Sequence, residues 1–203
     1  MPAPFLALLA IIGGYFLGSI PTGYWVGLRW GGIDIRTQGS GSTGATNVLR
    51  TLGRGPALLV LLVDTLKGAA AVALGWALGS PWWVVLAALL AVIGHSRSCW
   101  LGFQGGKSVA TSLGILLAMA WPVALATFGV WLLGLAFTRI VSFSSILAAV
   151  AAPVLMWVTA QPLPYLLFAL AGGVYVIATH RRNIERLLAG SEPRIGQKLA
   201  QSS

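Results

Sequence analysis

The chain has 203 residues, of which 57% are hydrophobic and 8% charged, and its mean hydropathy is +0.86; a soluble domain carries about 25% charged residues. One water-facing globule of this length cannot cover so much apolar surface, so the solvent is hydrocarbon, where helices satisfy their own backbone groups. The net charge of +9 comes from 13 Lys and Arg that punctuate apolar runs. They form no basic face on a soluble domain, which argues against a nucleic-acid partner and for anionic lipid or a phosphorylated substrate.

Apolar runs broken by Gly, Pro and charge predict an all-α membrane bundle of about seven helices, at 4–28, 56–78, 82–95, 108–120, 122–138, 142–160 and 162–179. The whole chain, 1–203, reads as a single domain with a tail from 179 onward. The first run follows Met1 without a basic leader and exceeds signal-peptide length, so its helix is expected to persist. The third and fourth runs fall short of the roughly 20 residues a full crossing needs. They are expected to be tilted, re-entrant or locally thinning the membrane.

Basic residues set the orientation. Arg29, Arg36, Arg50 and Arg54 lie at or between the first two runs, Arg97 and Lys107 in a later connection, and Arg139 in another. Arg181, Arg182, Arg186, Arg194 and Lys198 fill the tail. The alternate connections near Gly79 to Pro81, Trp121–Pro122 and Gln161 to Pro164 have no Lys or Arg. The expected topology therefore has the N-terminus outside and the C-terminus in the cytoplasm, with Trp82, Trp83, Trp121 and Trp157 as interfacial anchors. No internal repeat is evident.

The segments richest in Gly, Ser, Thr, Asn and His all fall on the side assigned to the cytoplasm. In the first, Gly39 to Arg50, glycines such as Gly41 permit tight curvature, while Ser40, Thr46, Asn47 and Arg50 offer a phosphate cradle. Asp64 and Lys67 follow, three apart on an otherwise apolar helix. They read either as an ion pair that fixes packing or as part of a proton or ion path.

The second constellation is Gly94-His95-Ser96 and then Trp100 to Thr111, in which Gly105, Gly106, Lys107 and Ser108 open onto a helix. A nucleotide P-loop is excluded, because Leu101 stands where its first glycine belongs and no strand precedes it. The third is Thr179 to Glu192, where His180 and Asn183 share a face if the last helix continues. Its Ile184, Leu187 and Leu188 make a stripe suited to the membrane surface. The four acids are scattered and Cys99 is single, so neither a metal centre, a disulfide nor an acyl-cysteine is expected. No Gly-x-Ser-x-Gly elbow is present.

These motifs resemble the bacterial PlsY family of membrane acyltransferases along nearly the whole chain. The match rests on GSGSTGATNVLR, on GH followed by WLGFQGGKSVAT, and on HRRNIERLLAGSE, with DTLKG and RIVSFSSI in support. The sequence departs from many members at Ser42, where they have Asn, at Ser108, where they have Gly, and over Ser96 to Cys99, where they carry proline.

The resemblance implies transfer of a long acyl chain from acyl phosphate to the 1-hydroxyl of glycerol 3-phosphate, giving lysophosphatidic acid at the bacterial cell membrane. No cofactor is implied, and a peripheral enzyme supplies the donor. Catalytic roles are implied for Arg50, Lys107, His180 and Asn183. Substrate contacts are implied for Ser40, Gly41, Thr46, Asn47, His95, Gly105, Gly106, Ser108 and Ser145. Competing readings are a transporter or channel for an anionic solute, motivated by Asp64 and Lys67, and a lipid-binding membrane anchor.

Overall fold

The computed structural model describes residues 2–197, so Lys198 lies outside the described residues. Among these residues the chain forms ten α-helices and two short 3-10 turns, with no strand. They are α1 (Ala3–Ser19), α2 (Thr22–Gly31), α3 (Ala45–Leu52), α4 (Arg54–Ala77), α5 (Pro81–Ser96), α6 (Val109–Met119), α7 (Trp121–Thr138), α8 (Val141–Val158), α9 (Leu163–Thr179) and α10 (Arg181–Leu188). Four stretches are long and apolar enough to cross a membrane: Pro4–Gly31, Arg54–Ala77, Trp121–Thr138 and Val141–Val158. The pair α9 and α10, bent by 61°, provides a fifth candidate. Helices α5 and α6 are shorter apolar helices, as the third and fourth runs led one to expect. With 11 residues, α6 is about 16 Å long, roughly half the hydrocarbon thickness.

Local chemistry sets the helix ends. The first run is two helices, because Ile20 precedes Pro21 and a residue before proline is driven out of the α region. Prolines open α5, α7 and α9 in the first turn, and the Ser80 hydroxyl accepts from the Trp82 amide at the head of α5. Inside α8, Pro153 cannot donate to the carbonyl of Ala149. Gly173 of α9 packs against that freed carbonyl.

The helices are drawn together by small residues, since lipid tails leave no hydrophobic drive between helices. Gly14 and Gly18 of α1 lie against the backbone of Ala87 and Ala91 on α5, and Gly68 and Gly114 bring α4 and α6 into backbone contact. Val72, Val92, Ile115, Met156 and Phe168 fill the space between α4, α5, α6, α8 and α9. The outer surface is apolar, with Phe137 86%, Trp157 72% and Leu66 65% exposed, as a lipid-facing surface must be.

Candidate active site

The first motif is a loop wound around one side chain. Asn47 is buried; its Nδ2 donates to the carbonyls of Ile35, Gln38 and Ser42, and its Oδ1 accepts from the Ser40 amide at 2.9 Å. Both of its N–H donors are committed, so Asn47, although on the cavity wall, shapes the loop and has no donor left for a phosphate. Ser42 accepts from the Gly44 amide at 3.3 Å, a turn contact that asparagine makes equally well. Gly41 has φ +71°, the left-handed conformation glycine allows in the loop, and is not among the residues that line the cavity.

The loop delivers α3, on which Thr46 and Arg50 stand one turn apart. Among the described residues the amides of Ala45 and Thr46 make no protein hydrogen bond, and neither does the Arg50 guanidinium. Burial lowers the Arg50 pKa, with Arg186 acting in the same direction and Glu192 against it.

The second motif differs from the expected amide cradle. The Gly106 amide donates to the His95 carbonyl at 3.0 Å. The Ser108 hydroxyl, fully buried, donates to the Val92 carbonyl at 2.7 Å and accepts from Ser96 at 2.6 Å. Gly105 and Gly106 do not line the cavity, and a Cβ on either would meet His95. These glycines serve close packing. Lys107 is the group of this loop that enters the cavity with charge, joined by the amides of Val109 and Ala110 at the start of α6, which have no partner among the described residues.

The third motif changes direction at His180, so the last helix does not run straight through it. Both His180 and Asn183 are nevertheless buried on the cavity wall. Nδ1 of His180 donates to the Val176 carbonyl at 2.7 Å, which leaves the lone pair on Nε2. Asn183 accepts from Lys107 Nζ at 2.6 Å and donates to Glu192 Oε1 at 2.6 Å. Glu192 also accepts from Ser142 at 2.7 Å and from Arg186 at 2.7 Å.

Sequence reading gave Glu192 no role, yet it is the hub that ties the tail to α8 and, through Asn183, to Lys107. Burial pushes its carboxyl up, but the bonds from Ser142, Asn183 and Arg186 outweigh that and hold it below the usual glutamate range. Its signal in the sequence was an acid closing an otherwise basic segment. Ser145 accepts from Trp131 at 3.2 Å and donates to the Val141 carbonyl at 2.9 Å. The tail is fastened across the mouth by two bonds between Ile195 and Arg139, at 2.8 and 3.1 Å.

A single cavity of about 770 Å³ joins these parts. Its polar end is lined by Ser40, Thr46, Arg50, Lys107, His180 and Asn183. From there it follows α8 through Ser145, Ala148 and Ala152, and α9 from His180 back to Phe168. At 1.5 Å per residue these tracks run about 10 Å along α8 and about 18 Å along α9 into the bundle. Among the described residues no group of three or more His, Cys, Asp or Glu is placed to hold a metal ion.

A cationic, amide-rich mouth continuous with an apolar arm, set among membrane helices, defines a polytopic membrane protein that handles an anionic amphiphile. The chain matches the sequence pattern of glycerol-3-phosphate acyltransferases over residues 8–190 and belongs to that family. It is 89% identical to the glycerol-3-phosphate acyltransferase of Synechococcus sp. (strain JA-2-3B'a(2-13)), over 97% of this chain and 98% of that one. With the enzyme of Trichormus variabilis (strain ATCC 29413 / PCC 7937) it shares 57%, over 93% and 92%. The fold superposes on a crystal structure of PlsY, an integral membrane glycerol 3-phosphate acyltransferase, in its glycerol 3-phosphate form. The TM-score is 0.90 at 40% identity, covering 94% of this chain and 96% of that one. The lysophosphatidic acid form gives 0.87 at 39%, covering 94% and 95%. The chain is thus an acyltransferase, and the transport and anchor readings fall away.

Proposed function

We propose that the enzyme transfers a fatty acyl group from acyl phosphate to the 1-hydroxyl of glycerol 3-phosphate, giving lysophosphatidic acid and phosphate. The observation that carries this is the continuity of one cavity from the Arg50 and Lys107 end to the apolar arm between α8 and α9. Similar PlsY structures hold glycerol 3-phosphate and lysophosphatidic acid, the acceptor and the product of this reaction.

Acyl phosphate is a mixed anhydride with a good leaving group, so positioning replaces an enzyme nucleophile. Arg50, Lys107 and the free amides of α3 and α6 offset repulsion between two bound phosphates and the charge that develops on the carbonyl oxygen. The glycerol hydroxyl oxygen attacks the acyl carbon, the bond from that carbon to the phosphate oxygen breaks, and phosphate departs. The hydroxyl proton goes to an oxygen of a substrate phosphate dianion, whose conjugate acid has a pKa of about 6. His180, with Nε2 free, orients the reacting groups. Ser40 and Thr46 contact phosphate, and Asn183 holds Lys107 in place.

The remaining expectations belong to the same reading. The whole chain acts as one domain in the bacterial cell membrane, with about seven helical spans of which the third and fourth are short or re-entrant, the N-terminus outside and the cavity mouth opening to the cytoplasm. A peripheral enzyme on that side delivers the donor. The exposed Trp82, Trp121 and Trp157, at ends without Lys or Arg, support this orientation. The test is phosphate release by purified protein with both substrates, compared with Lys107→Ala and Arg50→Ala. Folded variants that keep full activity would refute the phosphate assignment.

A further inference from the structure

The loop that carries Lys107 is seated on a single side chain. The backbone of His95 receives the Gly106 amide at 3.0 Å, and Ser108 fastens to Val92 one turn earlier on α5. A Cβ on Gly105 would meet the His95 carbonyl, and a Cβ on Gly106 would meet Nε2 of the His95 ring. The other ring nitrogen faces Asp64, with Nδ1 3.7 Å from Oδ1. This is too long for a hydrogen bond but close enough for the carboxylate to orient the ring.

Asp64 is held in turn by Lys67 at 2.8 Å, and Lys67 donates to the Ile20 carbonyl at 2.9 Å, where α1 breaks before Pro21. All three side chains are buried, His95 being the most accessible at 7%. A buried ion pair is weak evidence for stability, and an apolar pair of similar size is often as stable. The reaction derived above uses none of the three.

We propose that His95 is a positioning residue: its imidazole, oriented by the Asp64–Lys67 pair, is the platform on which Gly106 stacks, and it sets how far Lys107 reaches into the cavity. This rests on the reading of Lys107 as a phosphate ligand and assigns His95 a role exerted through that lysine rather than on the substrate. Gly106 is then required for clearance over the ring, and Gly105 for clearance over the His95 carbonyl.

The experiment is a double-mutant cycle in purified enzyme, reading KM for glycerol 3-phosphate, kcat and thermal midpoint. His95→Ala raises KM about tenfold and leaves kcat within about threefold, since it weakens binding in ground and transition states alike. Gly106→Ala, which drives a methyl group into the ring, lowers kcat/KM on the order of 10²-fold. His95→Ala with Gly106→Ala recovers about tenfold over Gly106→Ala alone, because the obstructing ring is gone. Asp64→Asn with Lys67→Met removes both charges together and reproduces the KM of His95→Ala, with no further loss when combined with it.

Losses that multiply in the double variant overturn the proposal, as does recovery of the thermal midpoint without recovery of KM. Collapse of kcat with an altered pH profile in His95→Ala overturns it too, in favour of a chemical role. Full activity in Lys107→Ala would instead refute the phosphate reading, leaving the stability arm of the cycle to report the packing separately.

Discussion

Lys107 sets a pH dependence that can be worked out in advance. Burial lowers its ammonium to about 8, with Arg186 and Arg50 acting in the same direction and Glu192 opposing. The protonated form binds phosphate, so kcat/KM is high below this value and falls above it. A group titrating near 8 is roughly 90% charged at pH 7 and roughly 10% at pH 9, a loss of about tenfold. Substrate ionisation adds little there, because a phosphate monoester with a second pKa of about 6 is already roughly 90% dianion at pH 7. A bound dianion keeps the ammonium protonated, so kcat at saturation changes less than kcat/KM. In Lys107→Arg the guanidinium cannot deprotonate, and the alkaline limb disappears even where absolute activity is reduced. Initial rates at subsaturating glycerol 3-phosphate, corrected for spontaneous donor hydrolysis, measure this directly. A limb of unchanged midpoint in Lys107→Arg, or no loss between about pH 7 and 9, would refute the reasoning.

Other parts of the structure give sharp expectations. Glu192→Gln turns an amide donor toward Arg186 and breaks a charge-assisted contact, costing about 2 kcal/mol and loosening Asn183 and Lys107; thermal denaturation and kcat/KM both report it. The wild-type carboxyl is held below its ordinary range, so its stabilisation is present above about pH 5 and lost as pH falls through the lowered value. Glu192→Gln should lack that acid-side loss in a melting series. Gly114→Ala places a methyl group against the Thr65 carbonyl and forces α4 from α6, a loss of about 1 to 3 kcal/mol in a detergent melting assay. Ala152→Phe fills the far end of the cavity arm and shifts preference toward shorter acyl phosphates, read as a KM that rises with chain length.

The helices were legible because hydrocarbon imposes one rule on every residue, and the short third and fourth runs appear as α5 and α6. The cations were legible for the same reason: Arg50 and Lys107 stand out against apolar neighbours, and both reach the cavity. The pairing of Asp64 with Lys67 followed from helical spacing, and it is present at 2.8 Å.

What sequence could not separate is a polar group facing a ligand from one facing the protein's own backbone. Asn47, Ser108 and the Gly106 amide have the composition of a phosphate cradle and are spent on carbonyls of Ile35, Val92 and His95. Nor does Thr179-His180-Arg181 contain a proline or glycine to announce its bend. The bend accompanies the burial of His180 and Asn183, a tertiary cause. Glu192 escaped notice because an acid in a largely basic tail reads as solvated until its partners from α8 and α10 are seen around it.

The most direct test of the account is steady-state kinetics of purified protein with both substrates varied, alongside phosphate release from acyl phosphate alone. Direct attack in one cavity predicts intersecting double-reciprocal lines and no phosphate release until glycerol 3-phosphate is present. Parallel lines with a burst of phosphate from the donor alone would indicate an acyl-enzyme and contradict it.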